Sequence, residues 1–409
     1  MPNPEPPFLP GARTPAAWRR RRRIAVGSAI VGGAVLSLGG LALLLWAFVA
    51  LSWTHRGTPG HPEFGINFSC SQAEYLLLET PGGPFIDDNR PRRAEWCANV
   101  LHTILAETGA RHVRLSVEWS DVEPADGRFD FALLDALLEA ASKDGARVLL
   151  SVGMKAQRHP EYYIPGWLLE RLDLEDGADV ARDPLLRARA LTMVSAVAGH
   201  AAASNAVVGW LAENEPYHRS PRAHDWYLGR DYVREVVAAI HAADPLDRPV
   251  AINHAERLAF DRRWKWGLED GDAVATSIYP FRNNELLGRK FVLDILNIGP
   301  LMPNYRARAA ETTGRGKPYW ITELQAEPWS NPDVRLISPS NPARDLTPEH
   351  FRRNVHYGRL TGADRVYLWG AEWWLLQRDR HGDSTWFAIA REAIAGGDAT
   401  ARTQPGARP

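Results

Sequence analysis

The sequence predicts a barrel of eight parallel strands surrounded by helices and preceded by one transmembrane helix. Apolar runs of strand length alternate eight times with helical patterns after residue 63. The fourth and the seventh of these runs end in glutamate, and no charged residue occurs from Ile24 to Trp53. The alternation and the strand-end glutamates indicate a (β/α)8 barrel with functional groups at its strand ends. The uncharged run indicates a membrane span.

The predicted strands are short apolar runs, and the predicted helices show apolar residues spaced three and four apart. Strands are predicted at 64–68, 112–118, 147–152, from 207, and at 249–254, 273–279, 318–323 and 365–370. Helices are predicted at 94–107, 131–144, 184–203, 226–242, 285–297, 302–312, 348–360 and 385–395. An open doubly wound sheet is the competing arrangement, but no Gly-rich turn follows any predicted strand.

The composition is that of an ordinary globular protein, and the formal net charge is −1 over 409 residues. This balance predicts no nucleic-acid binding. The 16 tryptophans are more than a core needs. Their flat apolar faces and single N–H donors suit the C–H faces of sugars.

The cysteines are Cys70 and Cys97, without the spacing of a metal site. Two separate buried thiols and a disulfide are both compatible with the sequence. A location outside the membrane favours the disulfide, which closes a loop of about 27 residues.

The amino end predicts an uncleaved signal-anchor. The basic cluster Arg19–Arg23 precedes the uncharged run, which places the amino terminus in the cytoplasm by the positive-inside rule. A cleaved signal of the twin-arginine kind is the alternative. The predicted organisation is a cytoplasmic basic tail (1–23), a transmembrane anchor (24–53), a tether (54–62), an extracytoplasmic barrel (63–396) and a disordered tail (397–409).

The fourth and seventh predicted strands end in the residues with the clearest chemistry. The fourth runs into Asn214-Glu215-Pro216, and the seventh ends at Glu323. A buried carboxylate must be paired or neutralised, so packing alone does not explain these residues. The carboxyl ends of barrel strands carry catalytic groups, and a pair of carboxyls is what glycoside hydrolysis requires.

Five strand-end positions together resemble the signature of clan A glycoside hydrolases, most closely the family 5 cellulase-like enzymes. These positions are Arg114, Asn214-Glu215-Pro216, Tyr279, Glu323 and Trp369. The resemblance covers residues 61–395. It implies a retaining enzyme that needs no metal and no cofactor, with an oligosaccharide or polysaccharide as substrate.

The resemblance implies that Glu215 is the general acid/base and Glu323 the nucleophile. A retaining pair lies about 5–5.5 Å apart, and the proximity of two negative charges raises the pKa of the acid. Asn214 is then expected to bind the sugar 2-hydroxyl, which requires the strand to end or bulge there; otherwise Asn214 only forms a turn. Arg114 is expected to pair with Glu323, and Tyr279 to donate its hydroxyl to Glu323.

Rival interpretations of the last two residues are an ion pair between Arg114 and Glu118 and a Tyr279 that only packs. Trp369 is expected to floor the subsite of the reacting sugar. Substrate binding is also expected at His254, unless it is a core histidine. For the remaining candidate tryptophans, the sequence is compatible both with flanking sugar subsites and with core packing. These residues are Trp119, Trp329, Trp373 and Trp374.

One departure from family 5 lies at the third strand, which ends Ser151-Val152-Gly153 where those enzymes often carry a histidine. Residues that can fill that space are Lys155, Gln157, Arg158 and His159. Competing carboxyls, expected to support the site or bind substrate, are Glu213, Glu327 and Glu372.

The sequence thus predicts a membrane-anchored retaining glycoside hydrolase. A catalytically inactive glycan-binding barrel and a transglycosylase with the same glutamates are the alternatives. The sequence indicates neither the sugar and its linkage nor the oligomeric state.

Overall fold

The computed structural model describes most of the chain, namely residues 15–78, 90–255, 259–286, 288–297, 299–329 and 333–396. The predicted disordered tail at 397–409 and the first 14 residues of the predicted basic tail lie outside the described residues.

Eight parallel strands close into a barrel, which confirms the predicted fold. The described strands are β1 (Glu63–Phe68), β2 (His112–Ser116), β3 (Arg147–Val152), β4 (Val207–Ala212), β5 (Val250–Ala255), β6 (Ala273–Ile278), β7 (Phe281–Leu286), β8 (Arg289–Asp294), β9 (Tyr319–Gln325) and β10 (Arg365–Trp369). The barrel order is β1-β10-β9-β6-β5-β4-β3-β2, and β7 pairs with β8 outside it.

Helices follow the barrel strands and cover the outside of the barrel. The helix α1 (Pro15–Ala50) lies ahead of the barrel strands, and the helices after β1 are α2 (Cys70–Leu77), α3 (Arg90–Thr108), α4 (Trp119–Val122), α5 (Ala132–Lys143), α6 (Gly166–Leu169), α7 (Pro184–Ala201), α8 (Arg230–Ala243), α9 (Trp264–Asp270), α10 (Tyr305–Thr313), α11 (Pro348–Leu360), α12 (Ala371–His381) and α13 (Thr385–Ile394). Local chemistry fixes their starts. For example, Thr347 accepts a hydrogen bond from the His350 amide and Pro348 occupies the first turn of α11.

The core has two parts because successive side chains of a strand point to opposite faces. The larger part lies between the strands and the outer helices. The smaller part fills the inside of the barrel, so the barrel is a packed core and not a pore. Its members are Leu149, Leu211, Ala251, Ala273, Ala275, Trp320 and Tyr367.

The predicted helix at 285–297 is wrong, because the chain there forms the β7–β8 hairpin and a 3-10 helix at Ile295–Asn297. Gly288 sits in the turn with φ of 73°, a backbone conformation that glycine adopts without strain. The strand-forming residues Phe291 and Val292 follow it, and they favour the extended arrangement. The neighbouring prediction at 302–312 agrees with α10.

The amino-terminal helix α1 contains one stretch long and apolar enough to cross a membrane, Val31–Ala50, with a mean hydropathy of 2.1. That this stretch does span a membrane remains a prediction, as does the topology.

The predicted tether at 54–62 begins as packed structure. The hydroxyl of Ser52 donates to the Leu296 carbonyl at 2.8 Å, and that of Thr54 donates to Asn297 Oδ1 at 2.8 Å. Trp53 is buried edge-on against Tyr305, with ring centroids 5.8 Å apart. The end of the apolar helix is therefore fixed to the barrel and not joined by a loose linker.

A disulfide joins Cys70 at the start of α2 to Cys97 in α3, with Cα atoms 5.5 Å apart. Of the two possibilities that the sequence left open, the structure contains the bridge. It ties the segment that follows β1 to the first large outer helix, and α2 carries side chains that reach the mouth of the barrel.

Candidate active site

The chain leaves β4 through two residues in the left-handed region. Glu213 has φ of 63° and Glu215 has φ of 46°. This backbone ends the strand at Ala212 and breaks the alternation that otherwise sends Asn214 and Glu215 to opposite faces. Both side chains consequently line the same pocket. The sequence predicted that the strand must end or bulge at this point if Asn214 and Glu215 are to share one site.

The carboxylate of Glu213 holds this turn in place through hydrogen bonds to neighbouring elements. It accepts hydrogen bonds from the amides of Met154 and Lys155, at 3.0 and 2.8 Å, and from the Tyr232 hydroxyl at 2.8 Å. A Cβ on Gly153 would lie 2.2 Å from the Glu213 carboxyl carbon, so only glycine leaves room for it. Glu213 therefore joins the end of β3 to the end of β4 and does not contact substrate, since it is fully buried.

Glu323 lies near the end of β9 and receives two strong donors. Nη1 of Arg114 lies 2.7 Å from its Oε1, and the Tyr279 hydroxyl donates to its Oε2 at 2.6 Å. Glu118, the rival partner of Arg114, instead accepts a hydrogen bond from Ser71 at 2.6 Å. The contacts predicted for Arg114 and Tyr279 are thus present.

Arg114 also orders the amides around Glu323. Its guanidinium is fully buried in β2 and donates to Asn67 Oδ1 at 3.1 Å and to Asn214 Oδ1 at 2.7 Å. Asn253 in β5 accepts the Glu215 amide at 2.6 Å. Asn67 and Asn253 were missed in the sequence, where a single amide inside each apolar strand was the available signal.

An open pocket of about 260 Å³ at the carboxyl end of the barrel contains both glutamates. It brings together five of the predicted site residues and the more weakly predicted Trp329. Its lining is Gln72, Tyr75, Arg158, His159, Glu161, Asn214, Glu215, Arg222, Tyr279, Glu323, Glu327, Pro328, Trp329, Val334 and Trp369.

Burial raises the pKa of Glu215 to about 7, and the negative charge of Glu323 adds to the rise. The Lys155 ammonium and a hydrogen bond with Ser277 act in the opposite direction. Burial and the charge of Glu323 also raise the pKa of Tyr279 well above its ordinary value, so this phenol stays protonated and remains a donor. Glu215 can therefore hold a proton near neutrality while it faces a paired Glu323.

Arg158, in the loop that follows β3, lines the same pocket. Its guanidinium carbon lies 3.9 Å from the Trp369 ring centroid. It forms ion pairs with Glu327 and, at 2.9 Å, with Glu372. The Trp369 indole nitrogen donates to Glu327 at 2.8 Å. Trp369 thus lines the pocket as predicted, with the cation of Arg158 stacked over its ring.

Three other predicted substrate-binding residues do not reach this pocket. Trp119 and Trp373 are 0% exposed, and their indole N–H groups bond to Glu123 and to the Val334 carbonyl. His254 is buried, with Nε2 3.1 Å from Asp261. A side chain without exposed surface cannot touch a sugar, so these residues pack the core. Trp374, a weaker candidate, is buried in the same way.

Comparisons with known proteins find similarity to glycoside hydrolases. A family model described as glycoside hydrolase 42, beta-galactosidase, matches residues 93–232. Among solved structures, the GH5_18 protein from Streptomyces cattleya, in complex with GlcNAc, aligns with a TM-score of 0.52 and 14% identity over 86% of this chain and 83% of that chain. No curated protein sequence matches the chain.

Two further solved structures also align with this chain. A GH5_18 variant from Bifidobacterium longum, in complex with Manb1-4GlcNAc, aligns with a TM-score of 0.52 and 14% identity over 84% of this chain and 80% of that chain. The beta-galactosidase from Rahnella sp. R3 aligns with a TM-score of 0.55 and 15% identity over 83% of this chain. The chain spans only 56% of the length of the Rahnella protein.

The fold and the comparisons define a (β/α)8 barrel similar to clan A glycoside hydrolases, which confirms the resemblance drawn from the strand ends. Both the family 42 match and the GH5_18 structures belong to that clan. At these identities the likeness establishes the fold, and the chemistry has to be argued from the site itself.

Proposed function

We propose that this protein is a membrane-anchored retaining glycoside hydrolase that acts outside the cytoplasm. One observation carries the proposal: Glu215, whose pKa is raised, and Glu323, which is paired with Arg114, line the same pocket. Arg114 and Tyr279 donate to Glu323, whereas burial and the facing charge raise the pKa of Glu215 to about 7. A carboxyl that holds its proton near neutrality, beside a carboxyl paired with a cation, is the arrangement that an acid and a nucleophile require.

In the first step, the Glu323 carboxylate attacks the anomeric carbon while Glu215 gives its proton to the departing glycosidic oxygen. The sugar is then bound to Glu323 as an ester. In the second step, Glu215 removes a proton from water, the water oxygen attacks the anomeric carbon, and the Glu323 carboxylate is released. In this mechanism Asn214, whose Oδ1 accepts a hydrogen bond from Arg114, hydrogen-bonds the sugar 2-hydroxyl.

The substrate is a glycan with a β linkage. Support comes from the beta-galactosidase description of the family model and from the Manb1-4GlcNAc bound to a structural neighbour. Trp329, which is 55% exposed in the pocket, supplies an aromatic wall, and such a ring suits the apolar faces of sugars.

Anchoring rests on the apolar stretch Val31–Ala50 and on the arginines before it. The arginines place the amino terminus in the cytoplasm and the barrel outside. The disulfide between Cys70 and Cys97 is consistent with an oxidising compartment.

A mechanism-based 2-deoxy-2-fluoro glycoside tests the proposal. A panel of β-gluco, β-galacto and β-manno reagents should yield a covalent adduct on Glu323, located by mass spectrometry of peptides. The Glu323→Ala variant should give no adduct, whereas Glu161→Gln, which changes another carboxyl of the pocket, should still be labelled at Glu323.

Other outcomes separate the alternatives. An adduct on a different carboxyl would show that the nucleophile is misassigned. Glycan binding without an adduct or turnover would indicate an inactive binding barrel. Transfer of the sugar to an added saccharide in preference to water would indicate a transglycosylase.

A further inference from the structure

One insertion connects the catalytic end of the barrel to the end of the apolar helix. It comprises residues 279–304, between β6 and α10. Its first residue, Tyr279, lines the pocket and bonds to Glu323. Further along, Leu296 and Asn297 accept the hydroxyls of Ser52 and Thr54. The carboxyl end of α1 is therefore docked on a segment that follows the carboxyl end of β6.

The contact at Gly299 sets the height of this segment relative to the apolar stretch. A Cβ on Gly299 would lie 2.5 Å from the Phe48 ring, and φ at Gly299 is 83°. Phe48 belongs to the stretch Val31–Ala50. Residues 299–301 thus lie beside the last turn of the stretch, at the depth of a lipid headgroup layer if that stretch crosses a bilayer.

Large apolar side chains are exposed around this contact. Leu51 is 50% exposed, Leu301 is 52% exposed and Phe260 is 71% exposed. The Ala259 amide donates to the Leu301 carbonyl at 2.7 Å, which brings the turn carrying Phe260 beside Leu301. Several exposed apolar groups in one place indicate a surface that meets an apolar partner.

A cleft of about 340 Å³ lies at the same place, lined by Leu51, Gly299 and Pro300 on one side and by cations on another. Arg262 is exposed at this cleft. Lys265 also lines it and pairs with Glu311 at 3.1 Å. Cations beside apolar side chains form the pattern by which proteins contact lipid phosphates and the acyl layer below them.

We propose that the barrel lies on the bilayer surface through a membrane rim formed by Leu51, Phe260, Leu301 and Arg262. The three apolar side chains enter the interfacial layer, and Arg262 contacts lipid phosphates. The occupant of this surface is the outer leaflet because the apolar stretch ends within it. The inference rests on the anchoring in the proposed function and adds a second area of contact with the membrane.

Single cysteines test the rim in the full chain, since Cys70 and Cys97 are already bonded to each other. Phe260→Cys and Leu301→Cys each receive an environment-sensitive fluorophore. The protein is reconstituted in vesicles of phosphatidylcholine and phosphatidylglycerol that carry a nitroxide lipid quencher. Leu246→Cys is the matched control, because Leu246 is 61% exposed and lies before β5 at the opposite end of the barrel.

Leu41→Cys, in the apolar stretch and 54% exposed, reports on the anchor itself. Thermal unfolding of each labelled variant checks that the fold is intact. The rim is supported if the emission of labels at 41, 260 and 301 is lost to the lipid quencher while the label at 246 keeps its emission. If 41 is quenched and 260 and 301 behave like 246, the rim is overturned and the anchor stands. If 41 is not quenched, the anchor fails and the rim fails with it.

Discussion

Replacing Glu323 by Gln tests whether the two glutamates act on each other across the pocket. The substitution keeps the shape of the side chain and removes its charge. The pKa of Glu215 is raised from 4.5 to about 7, with burial as the larger cause and the Glu323 charge as the second. Burial remains in the variant, so loss of the charge should reverse only part of the rise. We expect the pKa of Glu215 to fall by about one unit, or about 1.4 kcal/mol.

Infrared difference titration measures this pKa directly, since the carbonyl stretch of a protonated carboxyl disappears on ionisation. The band of Glu215 is identified by its absence in the Glu215→Gln, Glu323→Gln double variant. Glu161→Gln serves as the matched control, because the charge of Glu161 also raises the pKa of Glu215 but contributes less than the charge of Glu323. Its substitution should produce a much smaller fall than that of Glu323.

An unchanged or higher midpoint in Glu323→Gln would refute the argument. It would mean that burial alone sets the pKa of Glu215 and that the two carboxyls are too far apart to share one anomeric centre. The raised pKa of Glu215 also predicts the direction of the pH dependence of kcat/KM in the unaltered protein. A general acid must be protonated, so kcat/KM should decline as the pH rises through about 7.

Three further predictions follow from individual contacts. Tyr279→Phe removes the donor 2.6 Å from Glu323, and we expect kcat to fall roughly 10- to 100-fold, since a hydrogen bond to a charged group contributes about 1.5–3 kcal/mol; steady-state kinetics with an aryl glycoside measure this, and an unchanged kcat contradicts it. Replacing Cys70 and Cys97 by serine opens a loop with a sequence separation of 27, and the free energy of unfolding should drop by about 3.5 kcal/mol in denaturant titrations; no loss would show that the bridge does not constrain the unfolded chain. Burial and the nearby Arg365 lower the pKa of His112 from 6.5 to about 4 in the folded state, so the unfolded chain binds the proton more readily and the free energy of unfolding should rise from pH 4 to 6.5. His112→Gln should flatten that slope, and an equal slope in the variant assigns the pH dependence to other groups.

The strand ends were predictable because their chemistry conflicts with simple packing. Glu215 and Glu323 were found since each interrupts an apolar run, and the structure places both in one pocket. The left-handed turn at Glu213 was not predictable, because it depends on hydrogen bonds from the amides of residues 154 and 155, far away in the sequence. Local sequence contains no record of such a partner.

The tryptophans show the same limit of prediction from the sequence alone. An indole suits a sugar face and a protein core equally well, so the sequence alone cannot assign Trp119 or Trp373, which the fold buries completely. Similarly, the 285–297 segment has helix-compatible spacing, and its hairpin is settled by the turn at Gly288. Asn67 and Asn253 were passed over because one amide in an apolar strand is a weak signal until its partner is known.

The fixed junction at Ser52 and Thr54 has a consequence for the range of the enzyme. Enzymes on long flexible stalks can sweep a volume of the surrounding space. Under the proposed anchoring, the hydrogen bonds to residues 296 and 297 oppose such a swing and hold the pocket near a constant height above the lipids. An enzyme held in this way is expected to act on glycans attached to membrane molecules more readily than on polymers further out in the cell envelope.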